Sequence, residues 1–415
     1  MKLRLALPVS ALLAATLAPP APAQAAPPSC HGERATIVGT AGDDRLTGTA
    51  GPDVIVARGG DDVVAAGGGD DLVCGGDGAD RLAGGPGDDR LFGERDGIGT
   101  DRGGSYRIPD ELTGGPGNDV LDVGSDGRRV DQDGGHGSVT YATAGGPIRV
   151  DLDRGTARGA GRDRIVPMAG LEVVGSAFGD HLAGGAGPDH LVGGGGDDTL
   201  LGRGGADLLL PEGYDAPHRN DRDTVDGGPG RDTILARFGR DVLHGGSGDD
   251  QVTTWSSKPS EVYGDAGDDV VEGAVTQGRG FVLDGGEGDD RGYLGRPART
   301  IRPEDDPGPT ITVREADGVV EREGEQVGTL LSVGDLELAS RLRWVYLGTE
   351  DADVVTGGYY WPFRAETFGG DDVVTGSGER DRIDAGDGTD RVVGNEGRDT
   401  CLHAEDVTSC EVLTE

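Results

Sequence analysis

One aspartate returns every nine residues. From Asp44 it recurs at Asp53, Asp62, Asp71, Asp80 and Asp89 without a miss. Two residues before each stands a glycine (Gly42, Gly51, Gly60, Gly69, Gly78, Gly87), and two residues after each an aliphatic (Leu46, Ile55, Val64, Val73, Leu82, Leu91). Composition bias alone would not align three columns on one period. A period this short dictates an elongated array in which each unit packs on its neighbours. The register returns at Asp119, at Asp180, Asp189, Asp198 and Asp207, and at Asp223, Asp232, Asp241 and Asp250. Asp269 and Asp290 follow, then Asp353, and a last run of Asp372, Asp381, Asp390 and Asp399. The full GGxGxD ends at Asp80, Asp89, Asp119, Asp189, Asp198, Asp232, Asp250 and Asp290.

Each position has a task. The glycines permit positive φ and close backbone approach, so the first six residues form a tight turn with inward-facing carbonyls. The closing x-aliphatic-x is a minimal strand with its central side chain on one face. Two units then make one coil with two strands, and stacked coils bury the aliphatics in a thin core between two parallel sheets. Equivalent turns two units apart lie one strand spacing apart, about 4.8 Å. Two carboxylates at that distance repel by roughly 3–4 kcal/mol at an effective dielectric near 20. One buried Leu or Val returns about 1.5–3 kcal/mol, while ordering nine backbone residues costs on the order of 10 kcal/mol or more. A hard divalent cation between turns reverses the sign of the largest local term. Carboxylates with backbone carbonyls are the oxygen set Ca²⁺ accepts, whereas Mg²⁺ demands tighter octahedral geometry and keeps its waters. The expected cofactor is therefore calcium, several ions per chain, with folding linked to the metal.

Units such as Gly184-Gly185-Ala186-Gly187-Pro188-Asp189-His190-Leu191-Val192 resemble the RTX, or haemolysin-type, calcium-binding nonapeptide. The resemblance implies an all-β fold, a right-handed parallel β-roll or β-helix solenoid with loop insertions, with ions bridging turns i and i+2. Asp180 then pairs with Asp198 and Asp189 with Asp207, while Asp44, Asp62 and Asp80 line one edge and Asp53, Asp71 and Asp89 the other. The metal residues it implies are the repeat aspartates named above. Some units depart from the pattern. Asp221, Asp351 and Glu379 stand where glycine is expected before Asp223, Asp353 and Asp381, which predicts distorted turns; Gly292 replaces the aliphatic after Asp290.

Between the blocks the pattern lapses. Residues 93–113 and 211–222 read as loop insertions. Residues 135–178 and 291–347 keep strand-like alternation without the acidic turn, and we read them as uninterrupted coils; Asp290 to Asp353 spans 63 residues, seven units of nine. The expected organisation is a signal peptide at 1–25, a first calcium-binding block at 26–134, a metal-poor coil segment at 135–178, and a second block at 179–290. A metal-poor, strand-rich segment at 291–347 and a C-terminal block at 348–415 complete it.

Composition agrees. The chain has 81 Gly, 4% aromatics and a formal charge of −38, which argues against nucleic acid and anionic membranes and toward cations. Lys2 and Arg4, the apolar run Leu5 to Leu17 and Ala23-Gln24-Ala25 form a secretory signal too short to span a bilayer, so a secreted, extracellular chain with no membrane span is expected. Cys30, Cys74, Cys401 and Cys410 lie two near each end, which suggests Cys30–Cys74 and Cys401–Cys410 as caps on the array. The first pairing closes a loop of about 45 residues, worth about 4 kcal/mol on the chain-entropy model. There is no HExxH, no serine with glycines at −2 and +2, and the seven His are scattered. The reading is a calcium-binding protein of structural or adhesive role rather than an enzyme, and adhesion would take a cell-surface or extracellular polysaccharide as partner. The alternative is a polysaccharide-modifying lyase or epimerase with its site on the irregular coils. Tyr359-Tyr360-Trp361-Pro362-Phe363 lies outside the repeat and reads as a plug on the solenoid flank.

Overall fold

A computed structural model describes residues 27–101, 104–124, 137–166, 170–213, 221–256, 258–275, 279–295, 310–338, 342–358, 361–410 and 412–414. The proposed signal peptide lies outside them. Each aspartate is followed by a short strand whose central residue is the aliphatic of the repeat, and successive strands alternate between two sheets. Among the described residues the first sheet has 17 strands, all parallel, from Arg45–Thr47 to Asp406–Thr408. The second has 22, from Ile37–Val38 to Val412–Thr414. The register is the repeat itself: Leu46 pairs with Val64 and Val64 with Leu82 on the first sheet, Ile55 with Val73 and Val73 with Leu91 on the second. The chain is an all-β parallel β-roll.

The core is the aliphatic column of each sheet facing the other. Ile55, Leu91, Leu121, Leu182, Leu200 and Leu243 are fully buried, as are Leu112, Leu191, Ile234 and Val252 opposite. Most flanking strand positions stay half-buried or exposed, Leu72, Cys74, Phe92, Ala183, Val192 and Leu210 being buried exceptions, so a three-residue strand typically contributes one side chain to the central core. Gly292 leaves a gap in its column, and Val333 fills it: a Cβ on Gly292 would lie 2.6 Å from a Val333 methyl.

The metal-poor segments depart from uninterrupted coils. The first sheet runs through both without a break, Glu111–Thr113 pairing with Ser138–Thr140 and Arg291–Gly295 with Asp335–Leu338. On the second sheet each segment inserts an antiparallel meander: Arg149–Asp151, Thr156–Arg158 and Arg162–Ile165 in one, Thr310–Arg314, Val319–Arg322 and Glu325–Leu331 in the other. The 63 residues from Asp290 to Asp353 are therefore two steps on the first sheet plus a meander rather than seven nonapeptides. The insertion at 93–113 is likewise structured, carrying the hairpin Gly97–Asp101 and Gly104–Ile108.

Both expected disulfides form. Cys30 and Cys74 stand 5.8 Å apart between Cα atoms and pack with Leu72 and Phe92; Cys401 and Cys410 stand 6.1 Å apart at the other end. Phe363 of the aromatic cluster is buried in the core, and Trp361 is half-buried; Tyr359 and Tyr360 lie outside the described residues. No helix among the described residues is long and apolar enough to cross a membrane.

Candidate metal centres along the strand starts

The repeat aspartates form two ladders, one along the strand starts of each sheet. The rung is the same throughout: the backbone N–H of one aspartate donates to Oδ1 of the aspartate in the next coil. Asp44 donates to Asp62 at 2.7 Å, Asp62 to Asp80 at 2.9 Å, Asp53 to Asp71 at 2.7 Å and Asp71 to Asp89 at 2.9 Å. Asp180 donates to Asp198 and Asp189 to Asp207, both at 2.7 Å, the two pairs expected. The rung recurs from Asp198 through Asp223 to Asp241, and from Asp207 through Asp232, Asp250 and Asp269 to Asp290. In the last block it links Asp353, Asp372 and Asp390 on one sheet and Asp381 with Asp399 on the other.

Three acids outside the nonapeptides named above take the same place in the ladders. Asp110 receives the Asp80 N–H at 2.8 Å, Asp163 the Asp119 N–H at 3.2 Å, and Glu405 the Asp390 N–H at 2.8 Å. Asp110 lacks the glycine turn but keeps acid-x-aliphatic (Asp110-Glu111-Leu112), whereas Asp163 follows Gly159-Ala160-Gly161-Arg162 and misses only the first glycine, where Arg158 stands; acid-x-aliphatic finds both. Asp163 ends its ladder, its Oδ2 accepting the Tyr141 hydroxyl at 3.0 Å. The strand registers put Gly137, Leu171 and Gly334 at the acid position in the first sheet, and Ile148, Ser260, Phe281, Trp344 and Phe363 in the second. These residues divide each ladder into three runs.

The second oxygen separates two kinds of aspartate. In Asp62, Asp71, Asp80, Asp89, Asp110, Asp119, Asp198, Asp207, Asp232, Asp241, Asp250, Asp269, Asp290, Asp372 and Asp390, Oδ2 is buried with no hydrogen-bond donor. A buried carboxylate oxygen in that state is costly unless a cation meets it. The six aspartates that open a run are different. Asp44, Asp53, Asp180, Asp189, Asp353 and Asp381 each accept on Oδ2 the N–H of the residue four positions earlier: Thr40, Thr49, Ser176, Gly185, Thr349 and Ser377.

Backbone conformation follows the same division. In most of the later turns the second residue is left-handed, whether glycine (Gly67 at φ 112°, Gly76 at 120°) or not (Arg58 at 85°, Arg203 at 72°, Asp265 at 74°, Phe368 at 69°), and its N–H leaves the turn; Arg237, before Asp241, is not left-handed, and its N–H goes to Glu212 instead. None of the six donors above is left-handed. The fourth residue of an opening turn needs no positive φ either, so Asp351 and Glu379 are accommodated there. The distortion expected before Asp353 and Asp381 is absent. The turn of Asp223 falls partly outside the described residues.

The first glycine keeps the carboxylate cradle open. A Cβ on Gly227 would lie 2.4 Å from the Gly245 carbonyl and 2.6 Å from Asp232 Oδ2; on Gly264, 2.2 Å from the Gly285 carbonyl and 2.5 Å from Asp269 Oδ2. Acceptors thus converge from two successive coils on space that only glycine leaves free. Burial pushes the carboxyls of Asp80, Asp119, Asp207 and Asp250 up to about 7, Asp110 to about 8 and Asp198 to about 9. Asp53, held by the Thr49 N–H, is lowered instead. Buried acids, orphan oxygens and a carbonyl-lined cradle fit a hard cation with oxygen ligands.

No curated protein matches the chain. The family model of the RTX calcium-binding nonapeptide repeat (four copies) matches residues 38–73, 75–96, 109–127, 174–209, 219–252, 260–275 and 366–401. Those stretches hold most of the paired aspartates, Asp163, Asp290 and Asp353 excepted, and avoid both meanders. The chain carries RTX calcium-binding nonapeptide repeats, strung along two continuous sheets.

Proposed function

We propose that the protein is secreted and folds on calcium, and that it serves as a structural or adhesive β-roll outside the cell. Ions lie between successive turns of each run. Asp62, Asp71, Asp80, Asp89, Asp110, Asp119, Asp198, Asp207, Asp232, Asp241, Asp250, Asp269, Asp290, Asp372 and Asp390 turn their Oδ2 to them, and Asp223 and Asp399 hold the same ladder position. Asp44, Asp53, Asp180, Asp189, Asp353 and Asp381 open their runs, serve an ion on one side only, and close the other oxygen with an N–H. The observation that carries this reading is the column of buried, donorless Oδ2 atoms in five of the six runs. Uncompensated, those oxygens oppose folding; with calcium between the turns they drive it. Secretion is supported by the sequence at 1–25 and by disulfides at both ends, which an oxidising compartment preserves. The strand positions that face outward present alternating arginine and acid, such as Arg81 with Glu111 at 3.0 Å and Arg291 with Asp335 at 3.0 Å, a polar face suited to an extracellular or cell-surface polysaccharide.

The test is a calcium titration of the chelator-treated chain by far-UV circular dichroism. A parallel-β signal should appear with a midpoint of about 0.1–1 mM Ca²⁺, the range of extracellular modules, and not with Mg²⁺ at the same concentrations. A chain that gains no β structure up to about 10 mM Ca²⁺ overturns the proposal.

A further inference from the structure

One buried carboxylate stands outside the nonapeptide and outside both aspartate ladders. Glu212 ends the strand Leu208–Glu212, at the register of Gly194 in the neighbouring coil, and is 3% exposed. Its oxygens accept the Arg237 N–H at 3.0 Å and the Phe238 N–H at 2.9 Å, both from the next turn of that ladder. This holds the carboxylate inside the gap between the turns of Asp223 and Asp241, and ligand oxygens of Glu212, Asp223 and Asp241 lie within 4.8 Å of one another. Asp223 Oδ1 is engaged by the Asp198 N–H at 2.8 Å and Asp241 Oδ1 by the Asp223 N–H at 3.2 Å. Asp241 Oδ2 has no donor, on a residue 1% exposed. Burial, then Glu212 and Asp223, push the Asp241 carboxyl up to about 9, as expected of acids crowded without a counter-charge.

We infer that Glu212, Asp223 and Asp241 form a three-carboxylate site for a hard cation, calcium first, that fills before the ordinary inter-turn sites. The inference rests on the reading that the turns bind calcium. An ordinary gap draws its charge from the two aspartates of its turns; here a third carboxylate enters the same gap. Affinity of oxygen sites for calcium rises with the number of charged ligands, and a trivalent lanthanide should favour the site further.

The experiment is equilibrium dialysis of the full chain and of Glu212→Gln against stepped free Ca²⁺, with Tb³⁺ luminescence as a second readout and circular dichroism at saturating Ca²⁺ as the folding control. Gln keeps the size and an acceptor oxygen and removes the charge. The wild-type chain should bind one ion at free Ca²⁺ roughly tenfold below the rest. Glu212→Gln should lose that separation while keeping its other ions and its β signal. Asp241→Asn, which leaves both amide bonds of Glu212 in place, should lose the same ion, and serves as the test if Glu212→Gln does not fold. Retention of the tight ion in whichever of these variants folds, or a wild-type titration with no tight ion, overturns the inference. A wild-type chain that binds no calcium at all refutes the wider calcium reading instead.

Discussion

A carboxylate oxygen buried in this roll meets either an N–H or a gap, and the residue four or five positions upstream decides which. Where Thr or Ser follows the first glycine in ordinary backbone, its N–H closes Oδ2 of its own aspartate, and in four of the five cases its hydroxyl also donates to that carboxylate (Thr40, Ser176, Thr349, Ser377). Where the second residue is left-handed, that N–H turns away, and Oδ2 faces the gap where we propose a cation lies, except in Asp163, whose Oδ2 accepts the Tyr141 hydroxyl. The first glycine is constrained by space rather than by φ. Gly227→Ala would drive a methyl to 2.4 Å from the Gly245 carbonyl and 2.6 Å from Asp232 Oδ2, contacts that real Cβ atoms do not make. It should cost about 1–3 kcal/mol and lower calcium affinity in that run. Gly42→Ala, with nothing within 4 Å of its Cβ, should stay within about 0.5 kcal/mol. Calcium-saturated thermal unfolding of the two variants checks the contrast, and equal melting would show that the cradle has more room than these distances allow.

At the scale of the element, the unit is the run of turns rather than the single nonapeptide. An interior aspartate borders two gaps, so removing it should release ions on both sides. Asp198→Ala with Asp207→Ala, one on each sheet, should lower bound calcium by about four ions and leave the Asp372–Asp399 block loaded, because coupling in a stacked array is between neighbours. Native mass spectrometry in calcium counts the ions, and equal loss from the distant block would contradict neighbour coupling. The runs themselves were legible in sequence, since period nine, glycine and aliphatic columns carry both the coil and the pairing of Asp180 with Asp198. The meanders were not. Arg149-Val150-Asp151 alternates like any repeat strand, and alternation is silent on whether the next partner is parallel or antiparallel. Asp110 was hidden for a related reason: its ladder position is set by acid-x-aliphatic register, while a motif weighted toward glycine responds to the turn; Asp163, with Gly159 and Gly161 ahead of it and Ile165 behind, was within reach of the repeat pattern. In sequence Asp44 and Asp189 read like Asp62, because no single unit shows whether another acid lies behind it in the stack.

For the whole molecule the governing quantity is charge. The chain carries −38, and folding lines up its aspartates in columns one strand spacing apart. Burial raises Asp80, Asp119, Asp207, Asp223 and Asp250 to about 7, Asp110 to about 8 and Asp198 and Asp241 to about 9, against about 3.9 for an exposed aspartate. A carboxyl whose pKa is raised by folding stabilises the fold below its unfolded pKa, and that stability is lost as pH climbs through the folded value. The metal-free roll should therefore be most ordered near pH 4–5 and lose its order between about pH 6 and 9. Calcium does at pH 8 what protons do at pH 5, so the two compete: the calcium midpoint should rise as pH falls toward 6, and loading near pH 7 should release protons. Circular dichroism at stepped pH, with chelator and with about 5 mM Ca²⁺, and proton release in a pH-stat measure both arms. A metal-free chain with the same β signal at pH 5 and pH 8 would show that the buried carboxylates do not limit its folding.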